Sequence, residues 1–248
     1  MKRFGTMCPI KKIHISARGQ GWICVEKPSG MSVHNDPGKD LLSVLESQLI
    51  KNLEKTGTTE QESLLQPDLL QPVHRLDKET SGLLLVALTP EALNRLSDLF
   101  TKGKIKKRYK ALVHGNFDTR SEKNGLWETP LSKEAGGRKN PAGKGKKVRA
   151  QTRYKVLEQS LHYALLEIEL LTGRKHQIRR HAKLCGHPVL GDKRYGSQRS
   201  IKFLKETQGY EGMALHSFRL EFQDLESRAI IISDQIPLEI KTLLLQDS

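Results

Sequence analysis

The sequence predicts a single α+β domain on a mixed, mostly antiparallel β-sheet. Three observations carry that prediction. Strand-like segments come in neighbouring pairs, which favours antiparallel pairing, and helical segments are scattered between them rather than alternating strand by strand. The longest apolar run, Leu83 to Leu88, reads as a fully buried strand and is far too short to span a membrane. With 248 residues, 36% hydrophobic and 28% charged, the chain can bury a sizeable core and is not composed like a disordered one.

Each element has a local reason. "WICVEKPSG" (22–30) reads as a strand ending in a Lys27-Pro28-Ser29-Gly30 turn. In "DLLSVLESQLIKNLEK" (40–55), Leu41, Leu42, Leu45, Leu49 and Leu53 share one face of a helix that Asp40 can cap. Residues 56–72 are polar and proline-marked, a connector. "GLLLVAL" is the buried strand. "TPEALNRLSDLF" follows as a helix with Thr89 as N-cap and Pro90 in the first turn, where its missing N–H would be unpaired anyway. "KKRYKALVHG" is a strand with a basic start, and "GGRKNPAGKGKK" (136–147) is a flexible basic arm. "TRYKVLEQSLHYALLEIEL" forms a hairpin that turns Ala164, Leu166, Ile168 and Leu170 inward and Glu167 and Glu169 outward. "RKHQIRRHAKLCG" is a short helix closed by Gly186. "MALHSFRLEF" and "SRAIIIS" are further strands, and "IPLEIKTLLLQ" is a terminal helix with Pro237 near its start.

The formal charge of +14 and the pI near 9.7 favour a polyanionic partner, nucleic acid before a membrane surface. The N-terminal stretch has basic residues but no apolar core of a secretory signal. Cys8, Cys24 and Cys185 form no CxxC pair and are odd in number, which suits a reducing cytoplasm and buried, structural thiols. Several motifs fail on spacing. "AGKGKK" lacks the gap and the Ser or Thr of a phosphate loop, and "HRLD" has the wrong order for a kinase catalytic loop. His176 and His181 are five apart, on different sides of a helix, and no Cys or Glu set completes a zinc site.

What remains is a set of ordered motifs: "EKPSGMSVH" (26–34), "HRLDKETSGLLLVAL" (74–88), "KRYKALVHG" (107–115) and "LTGRKHQIRRHAKLCGHPVLGDKRYG" (171–196). Together they resemble the RluA-type pseudouridine synthases from about Trp22 to Phe222. The resemblance implies a bent mixed sheet with flanking helices, a central RNA cleft, and neither metal nor organic cofactor. It also implies an S4-less member, because the stretch ahead of Trp22 is too short for the S4 RNA-binding domain that many relatives carry. The implied reaction isomerises uridine in ribosomal or transfer RNA: the C1′–N1 bond breaks, the uracil turns, and C5 bonds to C1′.

The site roles follow from that resemblance. Asp77 is the catalytic carboxylate, with attack on the sugar, attack on the base and removal of a ribose proton all open. Arg179 is the cation that pairs with it, and Arg174 competes for that role. Tyr109 is the stacking platform for an extruded uracil. Arg75 fills the vacated stack or binds a flanking phosphate, and His74 lines the same wall. Arg180 belongs to a solvated helix face, Lys27 and Pro28 to an ordinary turn, and the run 102–110 to an RNA-facing edge. RNA is the implied partner, with no membrane, no DNA and a monomeric enzyme. The alternative function is a non-catalytic RNA-binding protein of ribosome assembly, which would need neither Asp77 nor Tyr109. A DNA-binding regulator would need a partner for the "RKHQIRRHAK" helix, and none has suitable spacing.

Overall fold

The computed structural model describes residues 12–56, 70–118, 120–223 and 229–247. Cys8, most of the N-terminal stretch and most of the 56–72 connector lie outside the described residues. The first half of the chain supplies β1 (His14–Gly19), β2 (Trp22–Lys27), α1 (Leu41–Thr56), β3 (Gln71–Pro72), β4 (Ser81–Ala87), α2 (Pro90–Thr101) and β5 (Lys106–His114). Then come β6 (Asn124–Trp127), the short pair β7 (Leu131–Ser132) and β8 (Lys147–Val148), and the hairpin β9 (Thr152–Gln159) and β10 (Tyr163–Leu170). The chain closes with α3 (Gln177–Leu184), α4 (Gln198–Gln208), β11 (Leu215–Gln223), β12 (Ala229–Ser233) and α5 (Leu238–Leu245).

One sheet collects ten of these strands, in the order β1-β2-β4-β11-β5-β10-β9-β6, with β3 added beside β4 and β12 beside β11. The predicted α+β class, the hairpin and the mostly antiparallel pairing all hold. Among the described residues the parallel contact is β4 with β11, through Ser81 opposite His216 and Gly82 opposite Ser217. The caps hold as well. Asp40 Oδ1 accepts from Ser43 N at 2.9 Å, Thr89 Oγ1 accepts from Ala92 N at 3.2 Å, and Gly186 takes a positive φ of 86° just past α3. The sequence reading passed over α4, although Ser197 caps its start and Gly209 closes it in the left-handed region.

The sheet is buried on both faces, which is why β4 reads as an unbroken apolar run. Leu84 and Val86 join Ile23, Val25, Leu166 and Ile168 on one face, under Leu41 and Leu45 of α1 and Ile178 of α3. Leu83, Leu85 and Ala87 join Trp22 and Cys24 on the other, under Ala92 and Leu96 of α2. Farther along, Leu204 of α4 and Ile240, Leu243 and Leu244 of α5 cover Leu112.

Where β4 meets β11 the backbones come unusually close. Gly82 has φ of 105°, and a Cβ built there would fall on the Ser217 carbonyl. Beside it Ser81 Oγ bonds His216 Nδ1 at 2.9 Å, and the Nε2 of that ring lies 3.0 Å from Asp234 Oδ2. Gly82→Ala is therefore expected to destabilise the fold by about 3 kcal/mol or more, since backbone strain and a backbone clash add. Urea denaturation checks this, and a loss below about 0.5 kcal/mol, the range of ordinary surface changes, would contradict the close approach.

Candidate active site

Asp77 stands in the 73–80 loop between β3 and β4, and that loop is gripped from two sides. Val73 N donates to Leu85 O at 3.0 Å and Leu85 N donates to His74 Nε2 at 3.1 Å, so the loop starts laid against β4. Thr80 N closes a turn on Asp77 O at 3.1 Å. From the opposite side, Gly30 N donates to Lys78 O at 2.9 Å and Ser29 Oγ to Glu79 O at 2.7 Å. Lys27 completes the grip. It is 1% exposed, and its Nζ donates to Pro28 O, Met31 O and Lys78 O at 2.7–3.0 Å. Burial pushes its pKa down to about 7 against the pull of Glu79 and Asp77. The three carbonyl acceptors match the three hydrogens of the ammonium form. Lys27 is thus a structural cation under the Asp77 loop, not the ordinary turn residue the sequence suggested.

Helix α3 brings Arg179 to the same point. Its Nη1 donates to Asp77 Oδ2 at 2.8 Å, while Nε and Nη2 form a fork on Asp192 at 2.7 and 2.9 Å. The pairing of Arg179 with Asp77 is as expected, but the two parallel bonds go to Asp192 and Asp77 receives one. Burial alone would lower the Arg179 pKa, yet its bonds to Asp192 and the charges of Asp192 and Asp77 raise it. Burial would likewise raise the Asp192 pKa, and Arg179 holds it below the usual carboxylate range. Arg194 N and Tyr195 N also donate to Asp192 Oδ1, at 2.9 and 3.0 Å. The rival cation, Arg174, gives its Nε to Arg149 O at 3.2 Å.

A cleft of about 800 Å³ opens over Asp77, within the range of small-ligand sites. Tyr109, 5% exposed, sits in its floor, and burial followed by the charge of Asp77 raises its phenol pKa. His176 begins α3 with φ of 53°, its Nδ1 3.0 Å from Tyr195 Oη and its Nε2 3.7 Å from Asp77 Oδ1. Burial lowers the His176 pKa, against the pull of Asp77. Arg75 is exposed at the rim, and Arg174 also borders the cleft. His74 lines the wall as expected, but its ring packs on Phe100 at 4.8 Å, and its nitrogen serves the Leu85 amide. Burial, then the charge of Lys107, pushes its pKa down to about 3, so it borders the cleft as a neutral ring.

Arg180 overturns its sequence reading. It is 0% exposed and donates to Pro141 O, Ser132 O, Lys175 O and Ala142 O at 2.6–3.2 Å. The side chain points into the body of the protein because the 131–148 segment folds over this end of α3. Leu131 pairs with Val148 and Ser132 with Lys147, and Leu131, Ala142 and Ala150 form a small core beneath. The predicted basic arm is therefore anchored along its first half, while Lys144 and Lys146 remain exposed. The thiols also differ from expectation in part: Cys24 is buried, but Cys185 is exposed.

A family model described as RNA pseudouridylate synthase matches residues 21–184, which include the Asp77 loop, Tyr109 and Arg179. The chain belongs to this family. It is 34% identical over 206 residues to ribosomal large subunit pseudouridine synthase C of Vibrio parahaemolyticus, covering 81% of this chain and 58% of that protein. With ribosomal large subunit pseudouridine synthase D of Zymomonas mobilis it shares 32% over 230 residues, covering 89% and 68%. The chain thus spans about three fifths of the length of the first curated relatives, 58% and 62% for two of them. The structure of human RNA pseudouridylate synthase domain containing 4 superposes with a TM-score of 0.69 at 24% identity, covering 93% of this chain and 92% of that one, and so shares its fold.

Within this pseudouridylate synthase fold, Asp77, Tyr109, Arg179, Arg75 and His74 all reach one cleft. Sequence reasoning missed Asp192, His176 and the clamp by Lys27. Asp192 lies inside the quoted 171–196 motif. Its signal was an acid in an apolar, glycine-flanked "VLGD" context, where a carboxylate needs a buried partner.

Two predictions follow from this geometry. Arg180→Ala removes the guanidinium donors from the carbonyls of the buried residues Pro141, Ser132 and Ala142 and empties the space the side chain fills, and is expected to cost about 3 kcal/mol in urea denaturation. A loss under about 1 kcal/mol would return Arg180 to the surface. His74 has a folded pKa near 3, below its unfolded value, so the unfolded chain binds the extra proton and His74 erodes stability as pH falls from about 6.5 toward 3. His74→Gln keeps an acceptor for the Leu85 amide and removes that proton. Its stability should fall less steeply than wild type between pH 6.5 and 4.5, by at most about 1.4 kcal/mol per pH unit. Equal slopes would refute a neutral, half-buried His74.

Proposed function

We propose that this chain converts uridine to pseudouridine in structured RNA, with Asp77 as the catalytic carboxylate. The observation that carries the proposal is the unequal treatment of the Asp77 oxygens. Oδ2 is held by Arg179, while among the described residues Oδ1 has only His176 at 3.7 Å, and Asp77 borders the open cleft. One bond fixes orientation and charge, and the other oxygen is left to engage the nucleotide. An isomerisation that consumes no water can work with one such carboxylate, whereas glycoside hydrolysis generally requires a pair. Of the other acids near Arg179, Asp192 has its side chain fully covered and committed to that arginine, so it positions and does not react, and Glu79, 3.5 Å from Arg179 Nη1, is not among the residues lining the cleft.

A uracil can reach Asp77 only when it leaves the base stack. Tyr109 in the cleft floor offers an aromatic surface, and the rim cation Arg75 faces the strand that the base leaves. The relatives' names speak of the large ribosomal subunit, which supports ribosomal RNA as the first substrate to test, ahead of transfer RNA. The reading includes action as a monomer in the cytoplasm. Support for a reducing compartment comes from free thiols at Cys24 and Cys185.

The experiment is tritium release from C5-labelled RNA transcribed in vitro. Asp77→Asn keeps the shape of the side chain and should abolish release while RNA affinity stays within about tenfold, ~1.4 kcal/mol. Turnover by the purified variant would remove Asp77 from its role, and wild-type binding without release would favour the assembly-protein alternative. Tyr109→Phe should bind like wild type. Tyr109→Leu also disturbs the core and should lose about 1–3 kcal/mol of binding if a base stacks there. Arg179→Lys retains the charge but lacks a planar fork able to hold Asp192 and Asp77 together, and should lose most of the turnover rate.

A further inference from the structure

The basic run 102–110 is not one charged edge. Lys102 pairs with Asp98 at 2.8 Å, and Lys110 lies over the Phe218 ring at 4.9 Å. Arg108 reaches Glu167 at 3.1 Å and Glu221 at 3.7 Å. Strand alternation puts Arg108 on the opposite side from its neighbour Lys107 and from Tyr109. Lys107 and Tyr109 both border the cleft.

Lys107 is half-buried, yet among the described residues no ion pair with a carboxylate satisfies it. Its Nζ sits 5.2 Å above the Phe100 ring, and the nearby imidazole of His74 is neutral. Gly173 borders the same cleft, and a Cβ built there would stand 3.8 Å from that Nζ, in ordinary van der Waals contact, so the ammonium faces a wall with no side chain of its own. The other cations nearby have partners or full solvent: Arg179 serves two aspartates, Arg174 a carbonyl, and Arg75 is exposed.

We infer that Lys107 binds a phosphate of the RNA strand, at the nucleotide placed over Tyr109 or its immediate neighbour. The inference rests on the reading of the cleft as an RNA site and assigns this one lysine of the run to it. A partly desolvated cation without an internal anion is stabilised when an external one arrives, and a phosphate oxygen is the anion that every nucleotide brings. Burial lowers the Lys107 pKa, and a bound phosphate would raise it again.

The test uses the full chain and two pseudouridine-free transcripts, large-subunit ribosomal RNA and a transfer RNA pool. Lys107→Met should flatten the plot of log affinity against log salt by about 0.7, one single-strand phosphate contact. On whichever transcript the wild type modifies, KM should rise about tenfold with kcat within about threefold, the pattern of lost uniform binding. Lys107→Arg should restore both. A second arm, independent of how the Met variant folds, follows the 13C-dimethylated Lys107 signal of otherwise wild-type protein. It should shift with uridine 3′-monophosphate and not with uridine. An unchanged salt slope, a fall in kcat alone, or a signal indifferent to the phosphate would each overturn the inference. Absence of tritium release by the wild type would sink the isomerase reading instead, and the salt slope and the lysine signal would still judge Lys107.

Discussion

The site depends on a buried guanidinium hydrogen-bonded to two carboxylates, Asp77 and Asp192, with Glu79 farther off at 3.5 Å. Taking Arg179 out of water costs several kcal/mol, and a single Asp77 at the edge of an open cleft would be a poor sole partner for it. Asp192 resolves this by taking two of the three bonded nitrogens in the interior, where Arg194 N and Tyr195 N complete its own shell. The Tyr195 ring lies 5.4 Å from the guanidinium carbon and helps fill the space around it. Asp192 fixes the arginine, and the arginine's remaining arm fixes Asp77.

The opposing requirement is that Asp77 stay put without being consumed by its supports. The loop is therefore held by its backbone. Lys27, Ser29 and Gly30 grip the carbonyls of Lys78 and Glu79, and β4 takes the chain away immediately afterwards. The tight passage of Gly82 past Ser217 seats β4 against β11, and β11 is the neighbour of the strand that carries Tyr109. The same few residues thus register the Asp77 loop, the cleft floor and the centre of the sheet, which is why the chain turns into the core directly after Asp77.

Charge is sorted by depth. In the interior, Arg179, Arg180 and Lys27 each meet acceptors of the protein and hold segments together. At the surface, the excess behind the +14 includes exposed Lys144 and Lys146, free to meet a polyanion. Lys107 lies between, desolvated enough to matter and unpaired enough to bind. A count of basic residues does not separate these classes, because the difference is in what each side chain can reach.

The sequence by itself determined the class of fold, the longer strands and helices other than β1 and α4, and the helix caps. Those features depend on local periodicity, on turn and cap chemistry, and on motifs that lie together in the chain. It also picked out Asp77, and Arg179 as its partner, but by resemblance rather than by geometry. Only the tertiary structure decided where each side chain of "QIRRH" points. Arg180 reads as a solvated residue on a helix of strong polar character, and it is buried because a segment some forty residues earlier folds over it. Asp192, thirteen residues from Arg179, and Lys27, fifty-one from Lys78, acquire their roles in the same way. Their contacts are between segments whose proximity is set by the register of the sheet, and a one-dimensional pattern holds no record of which buried charge will find which partner.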